Sequence, residues 1–477
     1  MKSTLPKVLH PIGGAPLLGH AMRAASGAGA GETVVVIRHQ RDRVAEFIDD
    51  YAARSEIACR TADQDEVKGT GRAVECGLDA LPADLTGTVV VTMGDVPLLS
   101  AETISELTRA HVEAQAAVTV ITSVLDDAKA YGRIVRDAEG NVERIVEFKD
   151  ASDAEREIRE INSGIYAFDA QVLRRELANV TSDNAQGEKY LTDVLQLARA
   201  AGGRVAAHVL SDLWQTEGVN DRVQLADLGR ELNRRTCERH MRAGVTIVDP
   251  ATTWIDVDVT IGPDTRVLPG TQLLGATSIG AEATIGPDVT LTDCEVGDGA
   301  EVKRAEGNLA VIGVGATVGP YSYLRPGTVL GAKGKIGGFV ETKNTTIGEG
   351  AKVPHLTYAG DADIKDGANI GAGTIFANYD GVAKHRTVVG RHSFVGSDSV
   401  LVAPVEIADG AYVAAGSAVT DAVGPGQLAV ARGRQHNVDG WVAKRRPGTA
   451  TEAAAQAAAA PPSSDPTATP DTSEDSQ

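Results

Sequence analysis

The spacing of hydrophobic and polar residues changes once along the chain, near residue 250. Up to about residue 220, short β-branched runs such as 33–37 and 89–93 alternate with helix-like sequence such as 43–53. Strands that alternate with helices indicate an α/β fold with a mostly parallel sheet. Between residues 221 and 250, apolar residues recur at helical spacing among charged ones, which predicts a linking helix.

From residue 255 onward, an aliphatic residue recurs at every sixth position. The first series is Ile255, Ile261, Val267, Leu273, Ile279, Ile285 and Leu291, and further series run through 318–336 and 389–419. A six-residue period is typical of a parallel β-helix, in which each coil stacks its aliphatic residue on that of the coil below. Breaks in the period at 303–313 and 376–387 predict loops that leave the coil.

These patterns predict four segments. They are an α/β domain at 1–220, a linker helix at 221–250, a β-helix at 251–441 and a tail at 442–477. The tail is acidic and rich in Ala, Pro, Ser and Thr, and from residue 449 it has no aliphatic side chain larger than alanine. Such a segment buries too little apolar surface to order itself, so we expect the tail to be disordered.

Composition and charge argue against several classes of protein. The 477 residues carry a net charge of −19, which disfavours nonspecific binding to nucleic acid or to an anionic membrane. No apolar run approaches the roughly 18 residues that cross a bilayer, and the first residues lack the apolar stretch of a signal peptide. Four cysteines that lie far apart, with no CxxC pair, fit a reducing compartment. We therefore predict a cytoplasmic protein without nucleic-acid or membrane partners.

Three features of the α/β segment are candidates for phosphate chemistry. Lys7 follows a proline in a short apolar segment and is either a phosphate-contacting cation or an exposed loop lysine. Gly69-Thr70-Gly71 either lets backbone N–H groups approach a nucleotide or is an ordinary helix-entry turn. Asp95 lies just past the carboxyl end of a strand that we expect to be buried, where α/β sheets bind ligands. This carboxylate suits either a Mg²⁺ that also touches phosphates or a turn at the strand end.

The β-helix segment offers a candidate base and candidate cations. His355 is either a general base, for which histidine is suited at neutral pH, or a structural histidine. Arg325, Lys343 and Lys352 either gather an anionic substrate near it or form salt bridges on a solvent-facing surface. The spacing of the histidines in this half matches no strong metal-binding pattern, so we expect no zinc site.

A set of short motifs follows one order along the chain. Those of the first half are Leu5-Pro6-Lys7-Val8-Leu9-His10, Gly69-Thr70-Gly71, Gly94-Asp95-Val96-Pro97-Leu98, Tyr131-Gly132-Arg133-Ile134, Ile161-Asn162-Ser163-Gly164 and Glu217-Gly218-Val219-Asn220. Those of the second half are Leu324-Arg325-Pro326-Gly327, His355-Leu356-Thr357-Tyr358, Asn369-Ile370-Gly371-Ala372-Gly373-Thr374 and Asn378-Tyr379-Asp380-Gly381. Over residues 1–441 the chain resembles the GlmU family, which are bifunctional N-acetylglucosamine-1-phosphate uridylyltransferases and glucosamine-1-phosphate N-acetyltransferases. The resemblance implies an α/β nucleotidyltransferase (Rossmann-like) domain followed by a left-handed parallel β-helix of hexapeptide repeats.

In the β-helix, the resemblance implies acetyl transfer from acetyl-CoA to glucosamine 1-phosphate. His355 corresponds to the general base that takes a proton from the attacking amine. Residues that match the sugar-phosphate pocket are Arg325, Lys343, Tyr358 and Asn369. Residues that match acetyl-CoA contacts are Ala372, Asn378, Tyr379, Ser397, Ala415 and Arg432. The family also implies a homotrimer, with this pocket between subunits.

In the α/β domain, the resemblance implies uridylyl transfer from UTP to N-acetylglucosamine 1-phosphate, which gives UDP-N-acetylglucosamine for bacterial cell-wall synthesis. No covalent enzyme intermediate is needed, so catalysis consists mainly of positioning and charge neutralisation. The match assigns the Mg²⁺ ligands to Asp95 and Asn220, and Asn220 also to the nucleotide site. It assigns the neutralisation of phosphate charge to Lys7. Residues that match the uracil site are Gln64, Gly69 and Thr70, and those that match the sugar site are Gly132, Glu147 and Asn162.

The sequence departs from the family at its start. Met1 corresponds to the last residue of the family's Gly-rich loop, so the resemblance implies that the domain at 1–220 lacks its first strand and that loop. Either the start has been assigned too far downstream of the native one, or this is an acetyltransferase-only variant with little uridylyl transfer. Two further alternatives are a sugar-1-phosphate nucleotidyltransferase with a noncatalytic β-helix and a noncatalytic trimeric scaffold. A second departure is Lys68, which stands where the family usually has an apolar residue, directly before Gly69 and Thr70 of the uracil site.

Overall fold

The computed structural model describes residues 1–184 and 186–460. The helices of the first half are α1 (Leu17–Gly27), α2 (Arg41–Arg54), α3 (Thr70–Asp79), α4 (Ala101–Glu113), α5 (Asp153–Arg156), α6 (Ala170–Leu177) and α7 (Asp193–Ala200), with 3₁₀ helices at Lys7–Leu9 and Leu213–Thr216. The strands are β1 (Pro11–Ile12), β2 (Ala15–Pro16), β3 (Val34–Ile37), β4 (Arg60–Asp63), β5 (Thr88–Val91), β6 (Val118–Val124), β7 (Arg133–Arg136), β8 (Val142–Val146), β9 (Glu160–Asp169) and β10 (Val205–Val209).

The main sheet of this half is mixed, so the prediction of a mostly parallel sheet is wrong. Its order is β10-β6-β9-β7-β8, with β5 paired to β9. β10 runs parallel to β6, but β9 runs antiparallel to β5, β6 and β7. The reason is that β9 follows the β7–β8 hairpin and one short helix, and antiparallel strands need no long crossover. β3 and β4 form a separate parallel pair.

Strand β5 leads to the predicted ligand-binding edge. All four of its residues are half-buried, whereas the sequence predicted a buried strand. β6 is the buried one, and its Val118 and Val120 pack with Tyr166 and Phe168 of β9 in the core. Asp95 therefore follows a strand that lies beside the core of the sheet and remains open to ligands.

Helix α8 (Arg222–Arg242) joins the two halves. Asp221 caps its first turn by accepting hydrogen bonds from the backbone N–H groups of Val223 and Gln224. In its middle, the Asn233 side chain is buried and bonds the first coil twice. It donates to the carbonyl of Thr253 at 2.7 Å and accepts from the N–H of Ile255 at 2.9 Å. These bonds tie the helix to the base of the β-helix.

The second half is a parallel β-helix with three flat faces. The first face has strands Thr246–Ile247, Arg266–Val267, Thr284–Ile285, Glu301–Val302, Thr317–Val318, Lys335–Gly338, Lys352–His355, Asn369–Ile370, Phe394–Val395, Tyr412–Val413 and Leu428–Ala429. The second has Trp254–Ile255, Gln272–Leu274, Thr290–Thr292, Ala305–Asn308, Ser322–Leu324, Glu341–Lys343, Tyr358–Gly360, Ile375–Ala377, Val400–Val402 and Ala418–Val419. The third has Thr260–Ile261, Ser278–Ile279, Glu295–Val296, Val311–Ile312, Val329–Leu330, Thr346–Ile347, Ala362–Ile364, Thr387–Val389 and Val405–Ile407.

The six-residue period corresponds to the interior of this coil. The predicted aliphatic positions lie inside one continuous core, in which Val267, Leu273 and Ile285 are fully buried. The predicted loop at 376–387 is present, because Tyr379 and Lys384 form an antiparallel bridge outside the coil. The predicted loop at 303–313 is wrong, since this stretch stays in the coil and pairs in register with both neighbours. The first coil strand begins at Thr246, slightly before the boundary placed at residue 251.

The C-terminal segment differs from the expected disorder over part of its length. A short helix spans Trp441–Arg445, and a second helix spans Ala450–Ala459. Alanine has the highest helix propensity, and Thr449 caps the second helix by accepting from the N–H of Glu452. Neither helix has a buried residue. The predicted tail from 461 to 477 lies outside the described residues. No helix in the described part of the chain is long and apolar enough to cross a bilayer.

Candidate active sites

Three predicted residues of the α/β half meet beside strand β5. The Lys7 ammonium lies 2.5 Å from Asp95 Oδ2 and 3.3 Å from Asn220 Oδ1. Lys7 comes from the first 3₁₀ helix, Asp95 from the loop after β5, and Asn220 from the turn before α8. The N–H of Val219 donates to the backbone carbonyl of Asp95 and holds the last two segments together. Residues separated by more than 200 positions therefore form one polar cluster.

This cluster has the ligand chemistry of a magnesium site. The Asp95 carboxylate and the Asn220 amide oxygen both lie within 3.3 Å of a single cation, the Lys7 ammonium. Mg²⁺ is commonly held by one or two protein oxygens, with phosphates and waters completing its shell. Within residues 1–184 and 186–460, no group of three or more His, Cys, Asp or Glu side chains is arranged for a metal. Asp95 and Asn220 thus fit an ion that is shared with phosphates.

The sequence analysis did not identify two further residues beside this cluster as site residues. The Tyr131 hydroxyl donates to Glu217 Oε2 at 3.4 Å. Burial, and then the Glu217 and Asp95 carboxylates, raises the pKa of Tyr131 to about 12. Tyr131 and Glu217 were quoted only within longer motifs. The signal that would have found them is that each motif also contains a predicted ligand.

The predicted uracil loop is held by backbone contacts. Gln64 Nε2 donates to the carbonyls of Val67 at 3.0 Å and Gly69 at 3.2 Å, which folds the loop on itself. Gly69 has φ +114°, and a Cβ there would lie 2.5 Å from the Lys189 nitrogen and closer still to its carbonyl oxygen. The Thr70 hydroxyl accepts from the N–H of Leu191 at 3.2 Å. Only glycine allows this approach, which indicates a turn that is built for close packing.

The predicted sugar residues adjoin one another, because Gly132 directly precedes β7, Glu147 directly follows β8 and Asn162 lies on β9. The N–H of Asn162 donates to the Gly132 carbonyl at 2.9 Å. The Asn162 side chain accepts from the Tyr166 hydroxyl at 2.8 Å. Burial, and then the carboxylates of Asp150 and Asp193, raises the pKa of Glu147. A half-buried carboxyl beside an amide oxygen offers polar contacts that suit sugar hydroxyl or amide groups.

The three groups of the α/β half are connected. A Cβ at Gly164 would lie 3.3 Å from Met93, which places the sugar residues of β9 against the loop that carries Asp95. Thr192 lies beside the Glu147 carboxyl, and the N–H of its neighbour Leu191 donates to Thr70 of the uracil loop. The predicted metal, uracil and sugar residues therefore line one continuous region.

In the β-helix, most of the predicted residues lie on the second face or along its two edges, and Asn369 lies on the first face. His355 ends a strand of the first face and is exposed, and its carbonyl accepts from the N–H of Gly373 on the next coil at 3.2 Å. Arg325 and Lys343 lie at the opposite edge, where Arg325 donates to Glu341 at 2.8 Å. Tyr358 lies on the second face between these edges. Asn369 starts a strand of the first face, one coil above Lys352.

The sequence analysis missed a second lysine and an aspartate at the edge that carries Arg325 and Lys343. We call it the phosphate edge, after the role predicted for these two residues. Lys384, on the loop that leaves the coil, lies beside Lys343. The interaction with Lys384, followed by the charge of Arg325, lowers the pKa of Lys343. Asp361 faces both lysines. Cations held this close favour an anionic ligand between them. The loop break after Phe376 was the only sequence signal for Lys384.

The predicted acetyl-CoA residues divide between the same two edges. Ala372, Ser397 and Ala415 lie on successive coils at the His355 edge, where the Ala372 carbonyl accepts from Asp398 and the Ser397 carbonyl accepts from Gly416. Arg432 reaches this column, since its Cδ would lie 3.8 Å from a Cβ at Gly416. Residues that lie instead at the phosphate edge are Asn378 and Tyr379. One chain therefore does not bring all six residues together.

Comparisons with known proteins agree with both halves. A nucleotidyl transfer family, described as "Nucleotidyl transferase", matches residues 2–257. The curated "Bifunctional protein GlmU" of Pseudarthrobacter chlorophenolicus is 58% identical over 458 residues, which cover 96% of this chain and 92% of that protein. Its namesakes from Kineococcus radiotolerans and Micrococcus luteus are 56% and 57% identical, each over 96% of this chain and over 92% and 94% of their own lengths. A solved UDP-glucose pyrophosphorylase with UDP-glucose aligns at TM-score 0.40 and 16% identity, over 49% of this chain and 92% of its own.

These findings confirm the predicted fold class and the predicted family. A nucleotidyltransferase domain is followed by a parallel β-helix of about ten coils, which matches the left-handed type. Identity above one half, over almost the whole chain, shows the family. The chain belongs to the GlmU family of bifunctional proteins.

Proposed function

We propose that the chain makes UDP-N-acetylglucosamine in two steps, acetyl transfer in the β-helix and uridylyl transfer in the α/β domain. It is a bifunctional transferase, as the close and nearly full-length similarity to the GlmU proteins indicates. The observation that carries the proposal is that residues matching both active sites form clusters, one on each domain. An acetyltransferase-only protein or a nucleotidyltransferase with an inert β-helix would need only one of them.

For acetyl transfer, glucosamine 1-phosphate lies across the second face of the β-helix. The phosphate binds at Arg325, Lys343 and Lys384, and the amine points toward the His355 edge. His355 takes a proton from the amine as its nitrogen attacks the thioester carbonyl of acetyl-CoA, and the thiolate of CoA leaves. Tyr358 orients the sugar between the two edges, and Asn369 completes the pocket from the first face. The exposure of His355 fits a base that must exchange its proton with solvent after each turnover.

For uridylyl transfer, a phosphate oxygen of N-acetylglucosamine 1-phosphate attacks the α-phosphate of UTP, and pyrophosphate leaves. Gln64, Gly69 and Thr70 receive the uracil, while Gly132, Glu147 and Asn162 hold the acetylated sugar. Asp95 and Asn220 hold Mg²⁺, which when bound neutralises charge on the phosphates. Lys7 moves from its ion pair with Asp95 to the phosphates. Positioning and charge neutralisation thus carry the reaction without a covalent intermediate.

We also propose a cytoplasmic homotrimer. The acetyl-CoA residues lie on two edges of one chain, so a neighbouring subunit that presents the opposite edge would complete the site. Exposed aromatic pairs on the β-helix, such as Tyr321 with Phe339, supply apolar surface for such a contact. Four cysteines without a disulfide fit a reducing compartment. Analytical ultracentrifugation of the full chain tests the trimer directly.

The test of the function is to assay the two half-reactions separately. Release of CoA thiol is followed with acetyl-CoA and glucosamine 1-phosphate, and release of pyrophosphate with UTP, N-acetylglucosamine 1-phosphate and Mg²⁺. We expect both activities, and EDTA should abolish only the second. Acetyl transfer alone would establish the acetyltransferase-only alternative. Pyrophosphate release alone would establish a nucleotidyltransferase with a noncatalytic β-helix, and neither activity would favour a scaffold.

A further inference from the structure

Three polar residues form a ladder at the phosphate edge of the β-helix. Asn344, Asp361 and Asn378 each follow a strand of the second face, on three successive coils. Asp361 Oδ1 accepts from Asn344 Nδ2 at 2.6 Å, and Asp361 Oδ2 accepts from Asn378 Nδ2 at 2.6 Å. The central carboxylate therefore bonds the coil below with one oxygen and the coil above with the other.

This ladder fixes the orientation of the Asn378 amide. A carboxylate only accepts hydrogen bonds, so the NH₂ group of Asn378 must face Asp361 and its carbonyl oxygen must face away. Asn378 is 6% exposed, so the amide has little freedom to turn elsewhere. Among the residues that the structure describes, none donates a hydrogen bond to that carbonyl oxygen. Asn378 thus presents a free, directed acceptor.

The same carboxylate balances charge beside the phosphate edge. Asp361 is half-buried and faces the ammonium groups of Lys343 and Lys384. Partial burial raises the pKa of Asp361, but the two amide donors and then the two lysines outweigh it, so the pKa is lowered overall. Asp361 is therefore charged at neutral pH and offsets part of the repulsion between the lysines. Removing it would leave a more positive edge.

We propose that Asp361 is a positioning residue for acetyl transfer, which aims the Asn378 carbonyl oxygen at an N–H donor of the acyl-CoA. This inference rests on the proposed acetyltransferase function and adds to it a residue that touches neither substrate. Asp361 acts through Asn378, because its two oxygens are already occupied by amide groups of the protein. The pantetheine arm of CoA carries the amide N–H groups that such an acceptor would bind.

The test is a double-mutant cycle on the 477-residue chain, with KM and kcat measured for both acetyl-transfer substrates. Asp361→Ala should raise the KM for acetyl-CoA about tenfold, the effect of losing one well-oriented hydrogen bond. The KM for glucosamine 1-phosphate should not rise, because a negative charge beside the lysines has been removed. Asn378→Ala should raise the KM for acetyl-CoA by a similar factor, and the double variant should be no worse than Asn378→Ala alone.

Asn344→Ala is the matched control. It removes the other amide partner of Asp361 but leaves the bond to Asn378, so the KM for acetyl-CoA should stay within about twofold of the parent value. If Asp361→Ala folds poorly, as judged by its uridylyl transfer and thermal unfolding, Asp361→Asn replaces it in the cycle. This variant keeps one acceptor, so its KM for acetyl-CoA should be intermediate.

Two outcomes would overturn the inference. In one, the effects of Asp361→Ala and Asn378→Ala on the KM for acetyl-CoA add in the double variant. In the other, both KM values rise together with a fall in kcat, which is what a merely structural role predicts. A parent chain that does not acetylate glucosamine 1-phosphate at all would instead refute the proposed function, so the two failures are distinguishable.

Discussion

Replacing Gly69 by alanine should abolish most uridylyl transfer and leave acetyl transfer intact. A Cβ at residue 69 would lie 2.5 Å from the Lys189 nitrogen and 2.8 Å from its carbonyl carbon, with the carbonyl oxygen closer still. These are backbone atoms, which cannot turn away as a flexible side chain can. The loop must therefore move to accommodate the methyl group, and the loop carries Gln64, Gly69 and Thr70 of the predicted uracil site.

The size of the effect follows from that movement. Reaching ordinary contact at 3.4 Å from the atoms of Lys189 requires a shift of about 1 Å. A displacement of about 1 Å in a group that positions a substrate costs on the order of 10²-fold in rate. We therefore expect the kcat/KM for UTP to fall by roughly 10²-fold, mainly because uracil is misplaced relative to the metal and sugar residues.

Gly87→Ala is the matched control for backbone strain. Gly87 also has positive φ, +93°, but nothing lies within 4 Å of its Cβ position. Both variants carry the strain of a left-handed alanine, and only Gly69→Ala carries the clash. The assay is pyrophosphate release with varied UTP, alongside CoA release as a check on the β-helix. Equal pyrophosphate release by the two variants would refute the reasoning, as would a parallel loss of acetyl transfer in Gly69→Ala.

Three further predictions follow from single residues. His355→Ala should reduce the rate of acetyl transfer by about 10²- to 10⁴-fold and leave pyrophosphate release unchanged. A smaller loss in the CoA assay would show that His355 is not the general base. Asn233→Ala should lower the free energy of unfolding, measured in urea, by about 2–4 kcal/mol, because two buried backbone groups of the first coil lose their partner. Arg230 is exposed on the same helix, so Arg230→Ala should change the free energy of unfolding little. Burial, and then Arg239, lowers the pKa of His240 from 6.5 to about 4, so the unfolded chain takes up this proton first as the pH falls. Stability should therefore drop by roughly 3 kcal/mol between pH 6.5 and 4 through this group, and His240→Gln, measured by urea unfolding across that range, should lack this part of the drop.

The β-helix could be predicted from sequence because its coils repeat the same contact. Each aliphatic residue stacks on its counterpart one coil away, so a period of six describes most of the interior, as from Ile255 to Leu291 and from Val389 to Val419. The stretch at 303–313 was misjudged because Gly307 takes an interior position that elsewhere holds an aliphatic residue. Its Cβ position lies 2.8 Å from Leu291, so that neighbouring side chain occupies part of the space that a larger residue would fill. The coil therefore continues without the expected residue.

Contacts between segments that are distant along the chain produce no repeating pattern in the sequence from which they could be predicted. Asp95 and Lys7 were singled out separately, but nothing in their spacing shows that the ammonium lies 2.5 Å from the carboxylate. The sheet was expected to be mostly parallel, since hydrophobic pattern alone does not show that a hairpin precedes strand β9 and that β9 runs antiparallel to its neighbours. The helix Ala450–Ala459 was missed because apolar surface was taken as the only source of order, whereas alanine-rich sequence also forms helix through backbone propensity. Family resemblance, rather than any pattern in the residues, supplied the remaining site residues, such as Gln64, Glu147 and Asn162.

The residues at the corners of the β-helix explain why its functional residues were harder to predict from sequence than its core. Asn344 and Asp361 have φ of +47° and +49°, a left-handed conformation that asparagine and aspartate tolerate better than most residues. The same short polar side chains that let the chain turn there also project an amide and a carboxylate at the edge of the coil. From the sequence alone these positions are predicted only as turns, because a turn and a polar binding site use the same amino acids here. The distinction appears once successive coils are stacked, when a carboxylate meets an amide above and below it and stands beside two lysines.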